Sequence, residues 1–159
     1  MYELAQLNIA ALRAPLDSPA LSEFVGNLER INALADAAAG FVWRLQTDEG
    51  DATSIRHFGD DVIVNLSVWS DIDTLFDFVY HSAHIDIMRR RQAWFTPSRE
   101  ATNVLWWVKA GARPTLGESG AALESLRRHG PSPAGFTFKK RYPPPVDRPS
   151  VDRAKGSPQ

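Results

Sequence analysis

The order of hydrophobic patterns along the chain constrains its fold more than any other feature. Residues 4 to 12 alternate between apolar and polar side chains, which predicts a half-buried strand. Apolar residues then recur three and four positions apart between Ser18, a predicted N-cap, and Gly40, which predicts a helix. The later patterns predict strands at 41–46 and 62–69 joined by a long polar loop, a helix from Ser70 to about Phe95, a strand at 102–108, a helix from Thr115 to Gly130 and a short closing strand at 136–142.

The first six elements predict an α+β protein with a ferredoxin-like antiparallel sheet and helices on one face. If the apolar positions of the first strand face the helices, the opposite face carries a set of amides and indoles, namely Gln6, Asn8, Asn65, Trp69 and Trp107. Solvent often covers such a face, but amides beside indoles with few Lys or Glu residues are more typical of a pocket lining. One small sheet is too shallow to enclose a ligand. We therefore predict that this face packs against a second copy in a two-fold homodimer.

Composition excludes several classes of protein. The 159 residues include no cysteine, which excludes disulfide scaffolds, thiolate metal sites and thiol nucleophiles, and favours a cytoplasmic location. No apolar run approaches the roughly 20 residues of a membrane span, and the start lacks a signal-peptide pattern. Residues 1–138 carry a net charge of −5, so we expect no nucleic-acid partner. Because no apolar span is found, we expect no membrane partner either.

The chain length fits a single domain, which we place at residues 1–142. Five of the eleven prolines lie between 143 and 159, among polar residues and glycine. This composition predicts a disordered tail over 143–159.

The densest group of reactive side chains lies in the second helix, at His81 and His84. On a regular helix these residues and Asp77 lie on one side, as two imidazoles and a carboxylate would for a divalent metal. That side is opposite the apolar side of the same helix, and the side of a helix opposite the core is by default exposed to solvent. We therefore predict no metal site. His84 lies beside a second apolar stripe, Ile85 and Met88, which favours a pocket position over a solvated one. A purely structural role for His84 stays open.

Three consecutive arginines, Arg89, Arg90 and Arg91, cannot all point the same way on a helix. We expect two of them to be solvated or paired with acids such as Asp86, and we assign to Arg91 the anchoring of a ligand carboxylate or a partner chain. The alternative that all three are solvated or paired stays open. The chain has no glycine-rich phosphate loop, nucleophile elbow or paired catalytic carboxylates, which disfavours phosphoryl transfer, hydrolysis and dinucleotide chemistry.

Five segments together resemble a bacterial family of unknown function, DUF3291, over about residues 3 to 142. They are residues 4–10, 40–44, 68–70, 80–84 with Trp94 and Phe95, and 105–108. The family resembles the dimeric α/β-barrel superfamily, which also includes antibiotic-biosynthesis monooxygenases and haem-degrading enzymes. The haem-degrading branch uses an Asn on the first strand with a Trp and a His on the second helix. Asn8 matches that Asn, whereas Phe78 and Met88 stand at the other two positions.

These observations lead to one main hypothesis and two alternatives. The main hypothesis is an enzyme that oxygenates, cyclises or isomerises a small, largely apolar or aromatic molecule without a cofactor. In it His84 and Asn8 are catalytic, and the substrate contacts Trp69, His81, Gln6, Asn65, Trp107 and Arg91. The alternatives are a non-catalytic metabolite-binding module and a haem-binding protein in which His81 or His84 ligates the iron.

Overall fold

The computed structural model describes residues 1–147. Residues 148–159, most of the predicted tail, lie outside the described residues. The strands are β1 Tyr2–Leu12, β2 Phe41–Arg44, β3 Val62–Trp69, β4 Phe95–Thr96 and β5 Asn103–Lys109. The helices are α1 Ser22–Asp36, α2 Ile72–His81, α3 His84–Arg89, α4 Arg91–Trp94 and α5 Leu116–His129, and a 3₁₀ turn, Pro19–Leu21, precedes α1.

The strands form one antiparallel sheet with β1 in the middle. β3 pairs with one edge of β1 and with β2 on its own far side. The other edge of β1 pairs with β5 over Tyr2 to Asn8 and with the short β4 at Ala11 and Leu12. The order β2-β3-β1-β5 is that of a ferredoxin-like sheet, so the predicted α+β, ferredoxin-like class is confirmed.

The two faces of the sheet differ in chemistry. We call one the amide face, which includes Gln6, Asn8, Asn65, Ser67 and Asn103, and the other the apolar face, which includes Ala5, Leu7, Leu66, Val68 and Val104. The strand register places each set on one side because side chains alternate along a strand. This grouping agrees with the sequence prediction for both faces.

The helices that cover the two faces of the sheet are not the ones predicted. The apolar face packs against α5 through Ala122, Leu123 and Leu126, and against Ala52 of the β2–β3 loop. Helices α1 and α2 lie over the amide face instead, where they pack on its apolar ends. The assumption that the apolar positions of β1 face these two helices is therefore wrong. Strand alternation shows which residues share a face, but it does not show which helix covers that face.

Both faces of the sheet are thus covered within one chain. The homodimer was predicted from an uncovered amide face, and this reason no longer holds. The homodimer itself stays a prediction.

The predicted second helix is divided into α2, α3 and α4. Asp71, rather than Ser70, caps α2 by accepting a hydrogen bond from Thr74 N at 2.8 Å. Ser82 adopts an extended backbone and ends the helix. Its hydroxyl donates to Phe78 O and accepts from His84 N, so one side chain satisfies groups on both sides of the break.

The last elements brace the sheet. Thr115 and Glu118 form the predicted capping box of α5. The predicted closing strand is reduced to a bridge in which Phe136 exchanges two backbone hydrogen bonds with Leu105 of β5. None of the helices within residues 1–147 is long and apolar enough to cross a membrane.

Candidate functional site

A cavity lies between the amide face and helices α1 to α3. It has two adjoining lobes of about 420 and 190 Å³. The larger lobe falls within the usual size range of small-molecule sites. Both lobes are lined by residues of the sheet and of the helices, namely Asn8, Ile31, Asn32, Arg44, Asn65, His84, Met88 and Arg91.

The floor of the cavity is a row of three asparagines from neighbouring strands. Asn8 of β1 is directly opposite Asn65 of β3 on one side and Asn103 of β5 on the other. Asn32 of α1 adds a fourth amide from above. None of these four side chains hydrogen-bonds to another group within residues 1–147. Each amide carries donors and an acceptor, so the row can bind an oxygen of a ligand, neutral or anionic.

The next row of the floor is polar but already hydrogen-bonded. Trp69 is 1% exposed, and its Nε1 donates to Ser67 Oγ at 3.0 Å. The Ser67 hydroxyl donates in turn toward Gln6 Oε1 at 3.5 Å. Trp69 also stacks on Phe78 with ring centroids 5.1 Å apart. Trp69 can therefore contact a ligand with its ring, but its N–H is engaged.

His84 lies on the helix side of the cavity because α2 ends at Ser82. Its ring packs against Phe78 at 5.1 Å, and its Nδ1 is 3.3 Å from Val79 O. A carbonyl oxygen only accepts, so Nδ1 carries the proton and Nε2 keeps a lone pair. Burial lowers the pKa of His84, and the bond to Val79 O opposes this shift only in part. The imidazole is thus neutral near pH 7, the form that can accept a proton.

The remaining walls are largely apolar, although Asn27, Asp51 and Thr53 also line the smaller lobe. The smaller lobe is bounded by Phe24, Leu28, Ile63, Ile87 and Phe95. Phe41 and Phe78 add aromatic rings to the larger lobe. Flat rings and branched aliphatic side chains around a polar floor suit a planar, mainly apolar molecule with one polar edge.

The three arginines differ in their surroundings. Arg90 pairs with Glu23, and Arg89 lies 3.7 Å from Asp86. Arg91 forms no ion pair within residues 1–147, and it lines both lobes of the cavity.

Two predicted ligand contacts lie outside the cavity. His81 is exposed at the end of α2, where its Nδ1 is 3.0 Å from Asp77. Trp107 packs on Phe136, and its Nε1 donates to Tyr142 O at 2.8 Å, which holds the C-terminal segment against β5. His84 is turned away from His81 by the helix break, and no group of three metal-ligating side chains occurs in the described part of the chain.

The cavity also contains residues that the sequence prediction missed. Asn32, Met88 and Lys139 all line the larger lobe. Asn32 lies four residues after Leu28, so an amide beside the apolar stripe of α1 was the available signal. Lys139 had no such signal, because the path of the segment after α5 cannot be read from periodicity.

The fold and the site define a ferredoxin-like α+β protein with a ligand-sized cavity between its sheet and its helices. The chain belongs to the family described as Domain of unknown function (DUF3291), whose model matches residues 3–152. No curated protein matches the chain.

Two solved structures are similar to it at low identity. One is SnoaB, a cofactor-independent oxygenase from Streptomyces nogalater, with 20% identity, 73% of this chain and 98% of that chain covered, and a TM-score of 0.48. The other is the NE2512 protein of unknown function from Nitrosomonas europaea, with 15% identity, 72% and 95% coverage, and a TM-score of 0.45.

Proposed function

We propose that this protein binds a small, largely apolar aromatic molecule in the cavity and acts on it as a cofactor-independent enzyme. The observation that carries the proposal is that one cavity is lined both by His84 and by an asparagine row whose side chains have no hydrogen-bond partner within residues 1–147. A neutral imidazole and several amide donors are the two components needed to remove a proton and stabilise the resulting anion.

The first step is proton transfer from a phenolic or enolic group of the ligand to Nε2 of His84. The hydrogen bond from Nδ1 to Val79 O fixes the tautomer and becomes stronger when the ring is positively charged. The side-chain amides of Asn8 and Asn65 donate to the oxygen on which negative charge develops. Oxygenation, cyclisation and isomerisation can each begin from such a delocalised anion.

The residues present do not fit the haem-degrading arrangement. Phe78 and Met88 occupy the two helix positions that the resemblance assigns to a Trp and a His, and both side chains line the cavity. His81, one of two candidate iron ligands, is exposed and paired with Asp77. Asn8 is the single residue of that arrangement present here.

The test is the pKa of a naphthol bound to the protein, read from the different absorption spectra of naphthol and naphtholate. Burial alone raises the pKa of a phenol, because it disfavours the charged form. A base such as His84 beside a row of amide donors lowers the pKa of the bound naphthol, because both favour the naphtholate. We expect the bound pKa to be below the free value in the wild type and to rise in His84→Gln and Asn65→Ala.

A raised pKa in the wild type, unchanged in both variants, contradicts the proposal. Product analysis with hydroxylated aromatic compounds then separates the enzyme from a binding module. An enzyme converts the ligand and loses turnover in His84→Gln, whereas a binding module lowers the ligand pKa without converting it.

A further inference from the structure

The charges around the cavity differ in sign from those of the protein body. Residues 1–138 carry twelve Lys and Arg against seventeen Asp and Glu. The larger lobe nevertheless has three cationic side chains, Arg44, Arg91 and Lys139, and no Asp or Glu among the described residues that line it. Asp51 lines the smaller lobe. The positive potential therefore belongs to the larger lobe.

The three cationic side chains differ in whether a neighbouring group already pairs with them. Arg44 is held by Asp36, with Nε to Oδ1 at 2.7 Å, and also donates to Gly50 O. Its charge is therefore compensated. Arg91 and Lys139 form no ion pair or side-chain hydrogen bond within residues 1–147, although the neighbouring Arg89 and Arg90 both face acids.

The position of Arg91 is suited to the outer end of a ligand. It is exposed to solvent, and it lines both main lobes as well as a third pocket that opens beside β4. The asparagine row and His84 line the same cavity, and both Asn103 and His84 are less exposed than Arg91. A ligand bound between them has one polar end at the amides and the other near the guanidinium.

We propose that the ligand is an aromatic hydroxy acid, whose carboxylate pairs with Arg91 while its hydroxyl meets the asparagine row and His84. This inference rests on the proposed function and adds to it the charge and the orientation of the substrate. A guanidinium can donate two parallel hydrogen bonds to a carboxylate, which makes Arg91 a specificity-determining residue. Lys139 adds a second positive charge at the rim.

The test compares two fluorescent probes that differ by one group. One is a hydroxynaphthoate with its hydroxyl and carboxylate at opposite ends of the ring system, and the other is the corresponding naphthol. We expect the wild type to bind the hydroxynaphthoate about tenfold more tightly, and Arg91→Gln to remove that advantage by lowering hydroxynaphthoate affinity far more than naphthol affinity. Lys139→Gln should cause a smaller loss. Arg89→Gln is the matched control, because Arg89 lies on the same segment but outside the cavity, and it should change neither affinity.

Salt provides a second measurement on the unmodified protein. Added salt should weaken hydroxynaphthoate binding and leave naphthol binding unchanged, since Arg91 is exposed and its pairing is screened. Equal affinities for the two probes, or an equal loss of both in Arg91→Gln, overturn the carboxylate assignment but leave the aromatic cavity intact. Failure of both probes to bind overturns the proposed function and this inference together.

Discussion

Truncation of Leu123 tests whether α5 covers the apolar face of the sheet. Leu123 is 3% exposed and packs in the core formed by α5 and that face. The change Leu123→Ala removes three carbons, which is about 2.4 kcal/mol at roughly 0.8 kcal/mol per buried methylene. Because the helix cannot fully collapse into the space, a cavity term adds to this cost. We expect the free energy of unfolding to fall by about 3–5 kcal/mol.

Urea denaturation followed by tryptophan fluorescence measures this change. Leu34→Ala on α1 is the matched control, because the same side chain is 37% exposed there. Because nearly two thirds of that side chain is covered, the change should cost roughly 1–1.5 kcal/mol, well below the loss at Leu123. If both variants lose a similarly small part of the free energy of unfolding, α5 does not pack on this face. A partner subunit would then have to cover the apolar face.

Three further predictions concern local features of the fold and site. Thr115→Ala should lower the free energy of unfolding by about 1 kcal/mol in urea denaturation, because it removes half of the capping box of α5. Asn65→Ala should change stability by less than about 0.5 kcal/mol in the same assay while weakening naphthol binding, because its amide is exposed and unbonded within residues 1–147. Wild-type stability should decline on acidification below the ordinary His pKa of 6.5 more than that of His84→Gln, measured by urea denaturation over a series of pH values.

The sign of the pH effect follows from proton uptake. Burial lowers the pKa of His84 in the folded protein, so the unfolded chain binds that proton more readily between the folded pKa and 6.5. Stability therefore rises with pH across this window and is constant below it as far as His84 is concerned. Parallel pH profiles for the two proteins would contradict the burial of the imidazole. A large loss of stability in Asn65→Ala, or none in Thr115→Ala, would contradict those two assignments.

The sequence was sufficient to group the residues of the cavity floor. Alternation has a period of two, so it placed Gln6, Asn8, Asn65 and Trp69 on one side of the sheet, where the register confirms them. The covering elements could not be assigned in the same way. The stripes of α1, α2 and α5 are all apolar, and nothing in their periodicity says which face of the sheet each one meets.

The positions of His81 and His84 show a second limit of sequence patterns. On one continuous helix the two imidazoles would lie on the same side. Ser82 ends α2 by hydrogen-bonding to groups before and after itself, and this local competition places His84 in the cavity and leaves His81 in solvent. Serine inside a helical pattern is too common to predict such a break.

The most direct test of the central claim follows the side-chain amide signals of the asparagines in proton–nitrogen correlation spectra during a titration with naphthol. Single Asn→Ala variants assign the signals of Asn8, Asn32, Asn65 and Asn103. If the site is as described, these four signals shift together as the ligand binds, while the side-chain amide signal of Gln46, which lines neither lobe, stays in place. Binding of naphthol with no change in these four signals would show that the ligand lies elsewhere and would contradict the account.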